Sequence, residues 1–244
     1  MKASKAHAVI RTVRVGDDHL DRFNPRLDDD GRIAYSPEDG VPSEAVAVSC
    51  VTQRVATLDK AADLAETAGS LAQPELSDWK KGCEVWVTDS RVLFRQVETR
   101  EPGLAVVGQI RFPWIASVEF RPKQSFVYES ILNLSLWESF EDSSRGSWLH
   151  TIEFKFPKTY HPGLVAQRVV RRIAAHHMAH GAPAEAAAAL GALSNAPLLP
   201  DPPKGELSMY ALPAFVNVPG GAAYIGDEIP EAEWILASAA TTAP

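Results

Sequence analysis

Alternation of apolar and polar residues between Cys83 and Phe156 is the feature that most constrains the fold of this 244-residue chain. Successive side chains of a strand point to opposite faces, so a period of two predicts strands with one buried face. Six such segments follow one another, separated by turns. They are CEVWV, RVLFRQV, LAVVGQIRF, WIASVEF, FVYESILNLSLW and SWLHTIEFKF. The sequence therefore predicts an antiparallel meander that buries its apolar face by curling into a barrel or by packing on itself.

One amphipathic helix is predicted directly after the meander, over residues 163–180. A period of 3.6 residues gathers an apolar face, which consists of Ala166, Val169, Val170, Ile173 and Ala174. Arg168, Arg171 and Arg172 fall on the other side, and Pro162 suits the first turn. The apolar face is predicted to cover the sheet.

The region before the meander shows a helical pattern as well. Apolar residues from Val48 to Ala65 recur at spacings of three and four, which predicts a helix between Ser43 and Gly69. Because β-branched residues favour strands, an alternative makes residues 46–52 a strand and starts the helix near Thr57. The heptad-like run over residues 48–65 also offers a surface for self-association, although packing on the same chain is the default expectation.

The chain is predicted to have four parts, and its fold class is predicted to be α+β, mainly β. Residues 1–42 form a partly disordered N-terminal segment, in which residues 7–15 alternate enough for a strand. A helical extension at 43–75 and a β-rich domain with its helix at 76–180 follow. Residues 181–244 are predicted to be an Ala/Pro-rich linker and an acidic tail of low order. The tail carries aromatic residues that could dock on this chain or another, namely Tyr210, Phe215, Tyr224 and Trp234.

Charge is unevenly distributed along the chain. The formal balance is −5 over residues 1–79, +4 over 80–180 and −6 over 181–244, giving a net charge of −7. Nucleic-acid binding needs uncompensated Lys and Arg along the phosphates, so no nucleic-acid partner is predicted. A local basic patch remains compatible with the mildly basic middle. Two cysteines do not make a disulfide scaffold, and the first residues lack the apolar block of a signal peptide, so a cytoplasmic location is predicted.

Basic residues are the candidate binding residues. Arg121 and Lys123 lie in the turn RPKQS, and Arg168, Arg171 and Arg172 share the polar face of the predicted helix. Each group could bind an anionic partner, and the simpler interpretation is that both are ordinary exposed charges.

No catalytic or metal-binding residues are predicted. The sequence contains no G-x-S-x-G, H-E-x-x-H, P-loop or G-x-G-x-x-G motif. His176, His177 and His180 have spacings that could bring two imidazoles to one ion, but the helix offers no carboxylate as a third ligand. The sequence therefore predicts a protein that is not an enzyme and that needs no cofactor.

Two local patterns carry a family resemblance. The first is the turn Thr88-Asp89-x-Arg91 with Val92 and Phe94 after it, and the second is the strand pair that contains Ile110, Pro113, Ile115, Ser117 and Val118. With the meander and the closing helix, residues 76–180 resemble the pleckstrin-homology superfold in its bacterial PH-like and GRAM-like branches. The resemblance implies a scaffold that binds peptides, proteins or lipids.

This chain departs from that family in two ways. The superfold has seven strands before its helix, and only six are counted here. The seventh would come from residues 70–81, from a break in the fifth strand, or from the N-terminal region. The phosphoinositide pattern K-x(n)-[K/R]-x-R cannot be placed on the first hairpin, because Lys80, Lys81, Arg91 and Arg95 have the wrong spacing.

The sequence favours a cytoplasmic binding or adaptor module without enzymatic activity. Its partner would be a protein or peptide, bound along a strand edge or in the groove between sheet and helix. The alternative is a peripheral membrane protein that binds anionic lipid through a basic patch.

Overall fold

The computed structural model describes residues 8–14, 25–57, 83–97, 104–112, 115–139, 147–179 and 184–212. Its strands are β1 (Ala8–Arg14), β2 (Arg26–Leu27), β3 (Ile33–Ala34), β4 (Val46–Val48), β5 (Cys50–Thr57), β6 (Cys83–Val87), β7 (Arg91–Val97), β8 (Leu104–Arg111), β9 (Ile115–Arg121), β10 (Ser130–Ser139), β11 (Ser147–Phe156) and β12 (Ser208–Ala211). Its α-helices are α1 (Gly163–Ala179) and α2 (Ala187–Ser194), with short 3-10 turns at Pro37–Asp39 and Ala184–Ala186.

Ten of these strands form two antiparallel sheets of five strands each. The first has the order β1-β8-β7-β6-β4 and the second the order β12-β9-β10-β11-β5, while β2 and β3 pair as a separate hairpin. Both sheets are open over the described residues, so neither closes into a barrel. The fold class is α+β and mainly β, as the sequence predicts.

The alternating segments all form strands, and the amphipathic segment forms α1. One strand is shorter at its start than the pattern predicts, because β10 begins at Ser130 and not at Phe126. The apolar face predicted for the helix is buried in full. Within the described part of the chain, neither α-helix combines the length and the apolar character that crossing a bilayer requires.

One hydrophobic core joins both sheets to α1. Phe94 of the first sheet meets Phe154 of the second edge to face, with ring centroids 5.4 Å apart. Val169 and Ile173 of α1 are buried in the same core. Fully burying a side chain of this size stabilises the fold by about 1.5–3 kcal/mol, so the core holds the two sheets and the helix together.

The helix predicted between Ser43 and Gly69 is wrong over residues 46–57, which form β4 and β5. The chain bends at Ser49, so that β4 pairs with β6 in one sheet and β5 pairs with β11 in the other. Val48 and Val51, three residues apart, are both buried because the bend lies between them. That spacing imitates a helix, and the strand alternative for residues 46–52 describes this region better. The self-association surface over 48–65 therefore has no helix over 48–57, and residues 58–65 lie outside the described residues.

The low order predicted for residues 181–244 is wrong where the structure describes them. Residues 187–194 form α2, and β12 adds to the edge of β9. Two carbonyl groups of the proline-rich segment accept hydrogen bonds from side chains. The Tyr210 hydroxyl donates to the carbonyl of Pro197, and the Ser208 hydroxyl donates to the carbonyl of Pro200. Of the four aromatic residues of the tail, Tyr210 is described and buried, and the others lie outside the described residues.

Candidate functional site

The predicted basic residues lie on two different elements. Arg121 ends β9 and Lys123 follows it in the turn to β10, whereas the three arginines belong to α1. On α1, Arg171 donates from Nε and NH2 to the carbonyl of Ala196 at 3.0 and 2.7 Å. Arg172 forms an ion pair with Asp89. Two of the three helix arginines are thus engaged within the chain, which weakens the case for an anion site on α1.

Residues 122–129, which join β9 to β10, form a projecting turn that we call the tip loop. The side chains of Phe126 and Val127 are 97% and 80% exposed. The Ser125 hydroxyl accepts from the backbone N–H groups of Val127 and Tyr128 at 3.2 and 3.3 Å, which closes a local turn. Two adjacent exposed apolar side chains, one of them aromatic, make this loop a candidate contact site.

Three cationic side chains lie against aromatic rings of the tip loop. The Nζ of Lys123 lies 5.6 Å from the ring centroid of Phe126. The ring of Tyr128 is contacted by the Arg121 guanidinium at 5.2 Å and by the Lys204 Nζ at 6.0 Å. All three contacts are within the range of cation–π attraction.

A fourth cation, Lys158, lies in the turn between β11 and α1. Desolvation and then the charge of Lys158 hold the pKa of Lys123 below its ordinary value, while Glu129 opposes this shift. The carboxylate of Glu129 is itself paired with Lys155 at 2.8 Å. The tip loop itself holds one cation, Lys123, and one anion, Glu129. Arg121, Lys158 and Lys204 on adjoining segments add positive charge beside its exposed apolar pair, and Asp201 and Glu206 near Lys204 offset part of it.

The edge of β9 is occupied by the chain itself. In β12, Ser208 pairs with Phe120 and Ala211 with Ser117 in antiparallel register. The buried Tyr210 hydroxyl donates to the carbonyl of Pro197 at 2.9 Å and accepts from the N–H of Leu199 at 3.3 Å.

The groove beside α1 is filled in the same way. Gln167 donates to the carbonyl of Ala196 at 2.9 Å, and Arg171 binds the same oxygen. Leu193 and Leu199 pack against the main core. Residues 193–211 therefore occupy the β9 edge of the second sheet and contact α1.

We call residues 195–207, which lead from α2 to β12, the strap. Gln124 of the tip loop donates to the carbonyl of Pro202 at 2.5 Å and accepts from the N–H of Gly205 at 3.0 Å. Arg121 donates to the carbonyl of Gly205 at 3.3 Å. At the start of α1, His161 Nε2 lies 2.7 Å from Asp201 Oδ1. The strap thus contacts the tip loop directly.

The histidines of α1 are packed. His176 and His177 are both buried, with His176 5.8 Å from the ring of Phe112 and the two imidazole centroids 5.7 Å apart. His180 lies outside the described residues. No group of three His, Cys, Asp or Glu side chains placed to hold a metal ion occurs in the described ranges.

Sequence reasoning missed the apolar tip and two of its cations. The alternation of FVYES suggests that Phe126 and Tyr128 belong to the buried face of a strand, whereas the structure puts them in the tip loop before β10 begins. Lys158 and Lys204 come from segments far away in sequence, so nothing local links them to Lys123. Comparisons with family models, with curated proteins and with solved structures each find no match for this chain.

Proposed function

We propose that this protein is a non-enzymatic binding module that attaches peripherally to anionic membrane surfaces through its tip loop. The observation that carries the proposal is the exposure of Phe126 and Val127 among Arg121, Lys123 and Lys204. Both requirements of a membrane anchor are met at this site: the tip loop has apolar side chains that can leave water, and the loop and its adjoining segments have cations that attract acidic headgroups.

The two contributions act at different distances. Cations attract an anionic leaflet over about one Debye length, roughly 8 Å at physiological salt. Once the loop reaches the interface, the apolar side chains leave water, and burial of a Phe side chain contributes about 1.5–3 kcal/mol. Binding of this kind is reversible and sensitive to salt, as expected for a peripheral protein.

The experiment is co-sedimentation of the full chain with vesicles. We expect binding to vesicles that contain phosphatidylserine at low salt and little binding to vesicles of pure phosphatidylcholine. Binding should fall sharply at about 1 M salt, where the Debye length is about 3 Å. Absence of binding to the anionic vesicles at low salt would contradict the proposal.

The scaffold in this proposal is a PH-like or GRAM-like fold. It is supported by the order of the elements: β4 and β5 act as one bent strand, six further strands follow from β6 to β11, and α1 comes next. This count gives seven strands before α1, with the additional strand from residues 46–57, and it leaves out β1, which adds to the edge of β8. A cytoplasmic location completes the proposal, since the cytoplasmic leaflet is the anionic one. It agrees with Cys50 and Cys83 standing outside any disulfide.

The second candidate function is binding of a protein segment, and the pairing of β12 with β9 favours it. Addition of a strand to a sheet edge, with a side-chain pocket such as that of Tyr210, is a common mode of peptide recognition. An external segment would have to displace β12.

A labelled peptide of residues 196–212 tests this second function by fluorescence anisotropy. The peptide should bind weakly to the full chain and tightly to a chain that ends at residue 195. This result would support replacement of β12 by another segment at the edge of β9. No binding to either chain would contradict it.

A further inference from the structure

The strap holds the base of the tip loop by three hydrogen bonds. Gln124 uses both atoms of its amide, one on Pro202 and one on Gly205, and Arg121 binds the carbonyl of Gly205. The amide of Gln124 therefore bridges two strap residues and ties the tip loop to the strap.

The strap also packs on the aromatic ring of the tip loop. Gly205 has a φ of +88°, and a Cβ placed on it would lie 3.2 Å from the Cζ and hydroxyl oxygen of Tyr128. Gly205 lies inside a turn that is closed by the N–H of Glu206, which donates to the carbonyl of Pro203 at 3.0 Å. Lys204, between these residues, contacts the face of Tyr128. Close approach of the strap to the ring thus depends on a glycine at position 205.

From these contacts we infer that the strap is a working part of the membrane-contact site, and that Gln124 and Gly205 are its positioning residues. The strap supplies the cation Lys204 and fixes the tip loop in the conformation that presents Phe126. This inference rests on the proposed function and names the second segment of the same site. A loop that is already ordered loses less conformational entropy when it binds, so loosening the strap lowers the affinity.

Two pairs of variants test the inference, each with a matched control. Gln124→Ala removes the bridge to the strap at the tip loop, and Gln167→Ala removes one hydrogen bond to Ala196 at the other end of the same segment. Gly205→Ala places a methyl group against Tyr128, whereas a Cβ on Gly191 of α2 meets nothing within 4 Å. Two readouts are needed: amide hydrogen exchange of Val127 and Tyr128 in solution, and affinity for phosphatidylserine vesicles.

We expect Gln124→Ala and Gly205→Ala to speed amide exchange in the tip loop and to weaken vesicle binding about tenfold, the equivalent of one or two net hydrogen bonds. Gln167→Ala and Gly191→Ala should match the parent chain in both readouts. Lys204→Gln should weaken binding and reduce its dependence on salt.

The readouts separate failure of the inference from failure of the proposed function. If the parent chain does not bind vesicles, the proposed function fails, and with it the role of the strap in binding. If the parent chain binds and Gln124→Ala binds equally well, the inference is overturned, whether or not loop exchange changes. Equal loss of binding in Gln124→Ala and Gln167→Ala would also overturn it, because the effect would then be a general loosening of the C-terminal segment.

Discussion

Arg91 binds both carboxylate oxygens of Asp39 in the protein interior. Its Nε lies 2.8 Å from Oδ1 and its NH2 lies 2.6 Å from Oδ2, and both side chains are almost completely buried. The third nitrogen, NH1, donates to Gln109 at 2.5 Å. Because Asp39 belongs to the N-terminal segment and Arg91 begins β7, this pair fastens residues 36–40 to the first sheet.

Removal of one partner should therefore destabilise the protein strongly. We expect Asp39→Ala to lower the free energy of unfolding by about 3–5 kcal/mol, because the buried Arg91 guanidinium loses both charge-assisted hydrogen bonds to the Asp39 carboxylate. The matched control is Asp30→Ala, since Asp30 and Arg32 form an exposed pair at 3.8 Å that should contribute less than about 1 kcal/mol. Urea unfolding measures both variants, and similar losses in the two would contradict this role for the buried pair.

The same pair predicts a dependence of stability on pH. Burial alone would raise the pKa of Asp39, but the hydrogen bond and the charge of Arg91, with the Ser36 N–H and Thr88, hold it below its ordinary value. The carboxylate therefore stabilises the fold fully above the unfolded pKa of about 3.9 and loses this contribution as the pH falls through the lower folded value. We expect the gap in unfolding free energy between the parent chain and Asp39→Asn to narrow below about pH 4. A gap that is constant or grows on acidification would show that Asp39 is not the ionised partner.

The two cysteines should differ in reactivity. Burial and then the neighbouring Cys50 raise the pKa of the Cys83 thiol to about 11, and the thiolate is the form that alkylating agents attack. Cys50 is partly exposed. Mass spectrometry after iodoacetamide treatment near neutral pH should find one label on the folded chain and two after denaturation. Cys83→Ser should leave the label count of the folded chain unchanged, and rapid labelling of Cys83 would contradict its burial.

Two glycines should respond in opposite ways to the same substitution. A Cβ on Gly108 would lie 2.2 Å from the Phe94 ring, so Gly108→Ala should overpack the core and cost about 1–3 kcal/mol. Gly191 lies in α2 with open space around it, so Gly191→Ala should stabilise the helix by about 0.5–1 kcal/mol. Thermal unfolding of the two variants shows directly whether each substitution lowers or raises the stability of the protein. A neutral Gly108→Ala would mean that Phe94 can move away from β8.

Regular periodicity is what made most of the fold predictable. Alternation from Cys83 to Phe156 and the apolar face of α1 identify those elements because each presents one regular apolar face to the main core. The strands β6 and β7 also bury Trp86 and Leu93 on the opposite face of the first sheet. Residues 46–57 are different, because one strand serves two sheets and its bend at Ser49 changes the spacing of the buried residues. Addition of β12 was not predictable either, since it depends on an edge of β9 that exists only in the folded chain.

The candidate site was only partly accessible from the sequence. Arg121 and Lys123 stand out as basic residues in a turn, and the structure places them beside the exposed tip. Phe126 did not stand out, because an apolar residue in an alternating run is expected to be buried. In the structure it lies in the turn closed by Ser125, and its side chain is exposed. Lys204 reaches the site because the strap forms hydrogen bonds with Gln124 and Arg121. No local sequence pattern predicts these contacts.

The central claim is that the exposed apolar pair of the tip loop enters an anionic membrane. Its most direct test compares the affinities of three chains for phosphatidylserine vesicles: the parent, the double variant Phe126→Ser with Val127→Ser, and Val41→Ser. Val41 is a matched control because it is 77% exposed but lies outside the tip loop and the strap. We expect the double variant to bind at least about tenfold more weakly, given the roughly 1.5–3 kcal/mol of a buried Phe side chain. Val41→Ser should bind like the parent chain, and a double variant that binds as tightly as the parent would contradict the account.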